Sequence, residues 1–209
     1  MIRVGIIGYG FMGRMHAKAY ARDDRTQLVA IADPRANVSQ AAAAGNIETA
    51  VDPPLDLSDV ALTDDAATLL KRDDIDAVSI CTPTSTHAPL AILSIQAGKN
   101  TLIEKPLALN SNDAAEVVEA STKTKLCIMP GMCMRFWPEW AWLKQTIDSG
   151  HYGPVLSAVF TRFGARPDWG QDFYSNPDLT GGRSLICIFT MLTSFAGASE
   201  IRRDCWPMG

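Results

Sequence analysis

The chain has 209 residues, 19 Lys and Arg against 23 Asp and Glu for a net charge of −4, and hydrophobic side chains at 47% of its positions. Such a length and composition suit a water-soluble globular chain, one domain plus part of a second, and exclude a small disulfide scaffold. No block of Lys and Arg supplies the electrostatic footprint that phosphate-backbone binding needs, so nucleic acid is not an expected partner.

In chain order, short Val- and Ile-rich runs alternate with helical patterns, the arrangement of βαβ units feeding a parallel sheet. Strands are expected at Arg3–Ile7, Gln27–Ala32, Ala77–Cys81 and Thr101–Ile103. Helices are expected at Phe11–Ala21, Asn37–Ala44, Asp64–Lys71, His87–Gln96 and Ser111–Thr122. Thr63 and Asn110 stand where side-chain caps belong, and Gly98 where a helix stops. Residues Gly45–Val60, with Pro53-Pro54, read as a surface loop.

After about Leu126 the character changes: Trp137, Trp140 and Trp142 accompany a helix pattern at Glu139–Asp148. A turn at Gly150–Pro154 then leads into a β-rich run, Val155–Phe163. The expected architecture is α/β, with a doubly wound parallel sheet over residues 1–124 and an incomplete second α/β domain over 125–209. No run approaches the ~18 apolar residues of a membrane span, and Met1 leads straight into a strand, so the expected location is cytoplasmic without membrane contact. The five cysteines, Cys81, Cys127, Cys133, Cys187 and Cys205, are scattered and never spaced C-x-x-C, so they read as reduced thiols and no metal site is expected.

Gly8-Tyr9-Gly10-Phe11-Met12-Gly13 is a G-x-G-x-x-G between a strand pattern and a helix pattern. Gly8 allows the tight turn, Gly10 lets backbone approach a pyrophosphate, and Gly13 lets helix and strand pack closely; the amides from Phe11 and Met12 onward then face the phosphates. Asp33 ends the next strand at the position from which a carboxylate meets adenosine ribose hydroxyls and repels a 2′-phosphate. The expected cofactor is therefore NAD, with NADP kept open by Arg35, which could stack on adenine, pair with a 2′-phosphate or be a solvated loop arginine. A glycine turn used only for packing is the plain alternative.

Two further clusters end buried strands, where ligands of open α/β sheets lie. Cys81-Thr82-Pro83-Thr84-Ser85-Thr86-His87 offers hydroxyls and a proline that could shape a nicotinamide site, or an ordinary polar turn. Glu104-Lys105-Pro106 places an ionisable pair beyond a strand, which suits either a catalytic lysine or a surface ion pair.

In this order, G-x-G-x-x-G, Asp33, C-T-P-T-S-T-H and E-K-P resemble the Gfo/Idh/MocA oxidoreductases, relatives of glucose–fructose oxidoreductase and inositol dehydrogenase. The resemblance continues through Arg135-Phe136-x-Pro138 and Gly150-x-x-Gly153, over roughly residues 1–182. It implies a Rossmann domain, a second α/β domain that usually carries substrate contacts and homo-oligomer interfaces, and hydride transfer between NAD(P) and a sugar, inositol or related polyol. It also implies that Thr82, Pro83, Thr84 and His87 lie near the nicotinamide ribose and ring, with Glu104 beside the cofactor. Lys105 is implied to hydrogen-bond the reacting hydroxyl or the ribose and to assist proton transfer. Arg135 and Trp169 are substrate-site candidates.

The pattern departs after Gly181-Gly182. Where the family carries Asp-x-x-x-His on a helix, this chain has Cys187 and Met191, and a methionine cannot transfer a proton. A codon choice for Ser184–Ala196, read two bases out of register, gives Leu-Asp-Leu-His-Ile-His-Asp-Val-Asp-Leu-Leu-Cys. The expectation is a frameshifted tail from about Arg183 to Gly209, the alternative being a divergent terminal helix. On that expectation the chain keeps weakened NAD binding with little turnover, which makes a catalytically inactive NAD-binding fragment the second functional reading.

Overall fold

The computed structural model describes residues 1–34, 55–157, 159, 161 and 176–180. Its centre is a six-stranded parallel sheet: β1 (Ile2–Ile7), β2 (Thr26–Ala32), β3 (Ala61–Thr63), β4 (Ala77–Ile80), β5 (Asn100–Ile103) and β6 (Ile128–Pro130). The strands lie in the order β3-β2-β1-β4-β5-β6. That is the doubly wound Rossmann order, whose reversal between β1 and β4 opens a ligand crevice at the strands' carboxyl ends.

Side-chain alternation builds the two faces, because successive strand residues point to opposite sides. Ile7, Val78, Ile80 and Ile103 join Leu69, Ala88, Ala91 and Val117 in one buried cluster. These last four come from α2 (Ala66–Leu70), α3 (His87–Gln96) and α4 (Ser111–Thr122). Ile6 and Ile31 turn the other way, with Tyr9 and with Ala17 of α1 (Phe11–Arg22). Ile80 and Ile103 have no exposed surface, and each contributes about 1.5–3 kcal/mol by burial.

Helices α3 and α4 occupy the expected residues, and Asn110 caps α4 by accepting the Asp113 amide. Gly98, at φ +73°, stops α3 as expected. One cap differs. The side chain of Asp65, not Thr63, accepts the amides of Ala67 and Thr68 at the start of α2. Thr63 ends β3 instead, since its backbone pairs with Ala32. The expected helix at Asn37–Ala44 lies outside the described residues.

β6 joins the sheet beyond Lys125, with Thr101 opposite Ile128. The chain continues through a 3-10 turn at Cys133–Phe136 into α5 (Pro138–Asp148), none of whose residues is buried. The turn at Gly150–Pro154 is present, with Gly150 and Gly153 at φ +64° and +80°. The strand expected over Val155–Phe163 is not found among its described residues, 155–157, 159 and 161, which are exposed. A β run is a strand only where a neighbouring ladder completes its hydrogen bonds, and none reaches these residues. A one-turn helix at Pro177–Thr180 packs on the Thr84–Thr86 turn and buries Thr180 completely. Among the described residues no helix is long and apolar enough to cross a membrane.

Candidate cofactor and active site

The glycine turn bridges the ends of β1 and α1. Gly8 has φ +89°, where a side chain is strained, and a Cβ on it would come within 2.8–2.9 Å of Thr82 Cγ2 and the Cys81 carbonyl. At Gly13 the constraint is closer contact: a Cβ would stand 2.1 Å from the Gly8 carbonyl oxygen. The first amide bonded to this end of the helix is that of Arg14, which donates to the Gly10 carbonyl at 3.1 Å. Helix geometry leaves the preceding amides, of Phe11, Met12 and Gly13, without intrahelical acceptors, and the dipole favours negative charge there. This cradle of bare backbone fits a pyrophosphate.

Asp33 is 5% exposed at the end of β2. One of its oxygens, Oδ2, accepts the Tyr9 amide at 2.6 Å, which ties the glycine turn to the neighbouring strand. The Gly8 amide donates to the Ala32 carbonyl at 2.8 Å on the same side. The carboxylate thus stands at the rim of the cradle, where ribose hydroxyls of a dinucleotide would lie. Arg35 lies outside the described residues.

Across the crevice, the Cys81 amide donates to the Ile7 carbonyl at 2.8 Å. The Thr86 hydroxyl donates to Thr82 Oγ1 at 2.7 Å, closing the turn around exposed Pro83 and buried Thr84. His87 is 2% exposed; its Nδ1 lies 2.7 Å from the Pro106 carbonyl and its Nε2 2.9 Å from that of Thr82. A carbonyl only accepts and a neutral ring carries one N–H, so the tautomer decides which of the two carbonyls receives the hydrogen bond. The ring is a strut joining the C-T-P-T and E-K-P turns, with no nitrogen facing the crevice.

Glu104 follows β5 and is 9% exposed. Its Oε1 meets His16 Nε2 at 3.1 Å and its Oε2 accepts the Lys105 amide at 3.1 Å. Burial opposes ionisation of this carboxyl, but the hydrogen bond to His16, the Lys105 charge and the Lys105 amide outweigh it, leaving its pKa below the usual carboxylate range. The half-buried Lys105 ammonium has no hydrogen-bond partner among the described residues. Cys81, by contrast, is held well above the ordinary thiol range by burial and by Glu104; it is an inert thiol.

The sequence pattern of the Gfo/Idh/MocA oxidoreductases, a family with an NAD-binding Rossmann fold, matches residues 2–132. The chain belongs to this family. Inositol 2-dehydrogenase 4 of Saccharopolyspora erythraea is 34% identical over 169 residues, 79% of this chain and 47% of that protein. Inositol 2-dehydrogenase of Rhizobium meliloti is 35% identical over 162 residues, covering 77% and 44%. The crystal structure of scyllo-inositol dehydrogenase from Lactobacillus casei with bound NAD(H) and scyllo-inositol has the same fold, with a TM-score of 0.60, 23% identity and coverage of 72% of this chain and 42% of that one. The chain spans about half the length of the curated relatives it matches.

Within this Gfo/Idh/MocA frame, Arg135 sits half-buried in the 3-10 turn after β6, and desolvation lowers its pKa from the ordinary arginine value. Trp169, Cys187 and Met191 lie outside the described residues, as does the tail from Arg183. Sequence reasoning missed His16, Tyr20 and Ser79. The signal was available: His16 and Tyr20, four residues apart, share a helix face with Gly13 and Ala17, which pack on the sheet. Polar side chains on a packing face call for partners. Ser79 is likewise a polar residue inside the β4 apolar run.

Proposed function

We propose that the chain acts in an NAD-dependent oxidoreductase that transfers a hydride between the nicotinamide and a hydroxyl-bearing carbon of an inositol, sugar or related polyol. The observation that carries this reading is the convergence of the Gly8–Gly13 cradle, the Asp33 carboxylate and Lys105 on the carboxyl ends of β1, β2 and β5. The division near residue 125 is part of the same proposal, β6 being the second part's contribution to the first part's sheet.

The amides of Phe11, Met12 and Gly13 would hold the pyrophosphate, and Asp33 the adenosine ribose. Asp33 charge at that rim disfavours a 2′-phosphate, which supports NAD over NADP. Bound in this way, the nicotinamide supplies the carbon that gives or takes the hydride. Thr82, Pro83 and Thr84 wall the crevice beside it. Lys105, whose ammonium has no hydrogen-bond partner among the described residues, would hydrogen-bond the substrate oxygen and stabilise the alkoxide formed as the hydroxyl proton passes to water, the hydride then leaving the same carbon. Arg135 would meet substrate hydroxyls.

A second reading, NAD binding without turnover, is supported by Cys187 and Met191 standing where the resemblance calls for Asp and His. One experiment separates the two. NADH binding is titrated by fluorescence, and turnover is assayed on a panel of inositols and sugars with the wild type and Lys105→Met. The first reading expects turnover that Lys105→Met lowers by at least ~100-fold while NADH still binds. Binding with no turnover on any polyol supports the second reading, and failure to bind NADH contradicts both.

A further inference from the structure

A polar network lies beneath the crevice. On the sheet face covered by α1, His16 presents Nε2 to Glu104 Oε1 at 3.1 Å and Nδ1 to Ser79 Oγ at 3.2 Å. Tyr20 OH lies 2.5 Å from Ser79 Oγ, and its ring stands edge-on to the imidazole at a centroid distance of 6.3 Å. Cys81 Sγ is 3.6 Å from Nδ1. Three separate elements meet in one imidazole: the helix that starts at the glycine cradle, the strand leading to the C-T-P-T turn, and the turn that carries Lys105.

We propose that His16 is a positioning residue: it fixes the Glu104 carboxylate so that the Lys105 turn stays in register with the dinucleotide cradle. The proposal rests on the cofactor reading above and deepens it. An ionised carboxylate only accepts, so Nε2 is the donor toward Glu104. With Nε2 donating, a neutral ring has Nδ1 as an acceptor, which the Ser79 hydroxyl satisfies while the Tyr20 hydroxyl donates to Ser79. Every member of the chain then has its bond, and such chains strengthen one another in a low-dielectric interior. Burial raises the Tyr20 pKa and keeps its hydroxyl a donor. The carboxylate at the end is held at both oxygens, by His16 on Oε1 and by the Lys105 amide on Oε2. It cannot swing without breaking a charge-assisted bond, and the Lys105 backbone is fixed through it. The network sits just after Gly13 and Arg14, so the same helix whose first amides would take phosphate also sets the lysine turn.

The test is amide NMR of the 209-residue chain, with NAD+ as the probe. In the wild type the Lys105 amide, bonded to a carboxylate, resonates downfield. It moves upfield in His16→Ala and returns in His16→Gln, whose carboxamide supplies one donor and one acceptor. NAD+ affinity falls about tenfold in the alanine variant, the loss of one charge-assisted hydrogen bond, and recovers in the glutamine variant. An unmoved Lys105 amide in His16→Ala overturns the proposal, as does an affinity loss that glutamine does not rescue. Should His16→Ala not fold, Tyr20→Phe removes the far donor and retains the ring; a smaller upfield shift supports the proposal and no shift overturns it. The amides of Phe11–Gly13 report separately on the cofactor reading. If NAD+ moves none of them in the wild type, that reading fails while the Lys105 comparison still decides the positioning role.

Discussion

Asp33 accepts the Tyr9 amide at 2.6 Å, so the carboxylate proposed to read a ribose also pins the glycine turn. The two roles separate by substitution. Asp33→Ala leaves a buried amide without its acceptor, at a cost of about 1–3 kcal/mol, and removes the proposed ribose contact as well. Asp33→Asn retains an acceptor for Tyr9 but not the charge. Thermal melts and NADH titrations together should show Asn near wild type in stability and Ala well below it, with both weaker in binding.

The Gly13 contact predicts a sharper effect. A Cβ 2.1 Å from the Gly8 carbonyl oxygen meets backbone, which cannot rotate away as a side chain does. Gly13→Ala must push α1 off the turn, at a cost of about 2 kcal/mol by overpacking. Denaturant unfolding should show that loss, and NADH affinity should fall with it. A stable, tight-binding Gly13→Ala protein would contradict the cradle.

Acid stability depends on the opposite edge of the sheet. Arg3 holds Asp76 bidentately, Nε to Oδ2 at 3.0 Å and Nη2 to Oδ1 at 2.7 Å, and the Arg3 amide adds a bond of 2.8 Å to Oδ2. The Arg3 side-chain hydrogen bonds, followed by its amide, lower the Asp76 pKa from 3.8 to about 2. A depressed carboxylate pKa stabilises the fold above its unfolded value, and that contribution is lost as pH falls from about 4 to about 2. With both side chains more than a third exposed, screening limits it to about 1 kcal/mol. Asp76→Asn should lose that amount at neutral pH and flatten the stability curve between pH 4 and 2.

Lys99 supplies a fourth check. Its side chain is buried, and Nζ donates to the Arg72 and Ile75 carbonyls at 2.7 and 2.9 Å, tying the segment before β4 to the start of β5. Lys99→Met retains the stem and removes the donors, which should destabilise the chain by about 2 kcal/mol in urea unfolding. NADH affinity should be unchanged, since the lysine lies at the amino edge of the sheet.

Where local sequence and tertiary structure agree, the fold was legible. The Val- and Ile-rich runs of β1, β2 and β4 declare buried parallel strands, and α3 and α4 carry their own stop or cap in Gly98 and Asn110. β3 and β6, at three residues each, are strands because β2 and β5 offer free edges for them to pair with. The α2 cap passed from Thr63 to Asp65 for the same reason, because pairing with β2 holds Thr63 in the sheet. Motif spacing revealed the cradle and Asp33. The His16 network was hidden because its members are 16, 79 and 104 in the chain, and only the packing of α1 over β4 and β5 brings them together.

Whether the Gly8–Gly13 cradle and Asp33 hold a dinucleotide is decided by NADH fluorescence titration of the 209-residue chain, paired with NADPH. Saturable one-to-one binding of NADH, with NADPH weaker by about tenfold or more from repulsion at Asp33, is the predicted result. No saturable binding of either nucleotide, by a protein whose circular dichroism and cooperative melt show it folded, would contradict it.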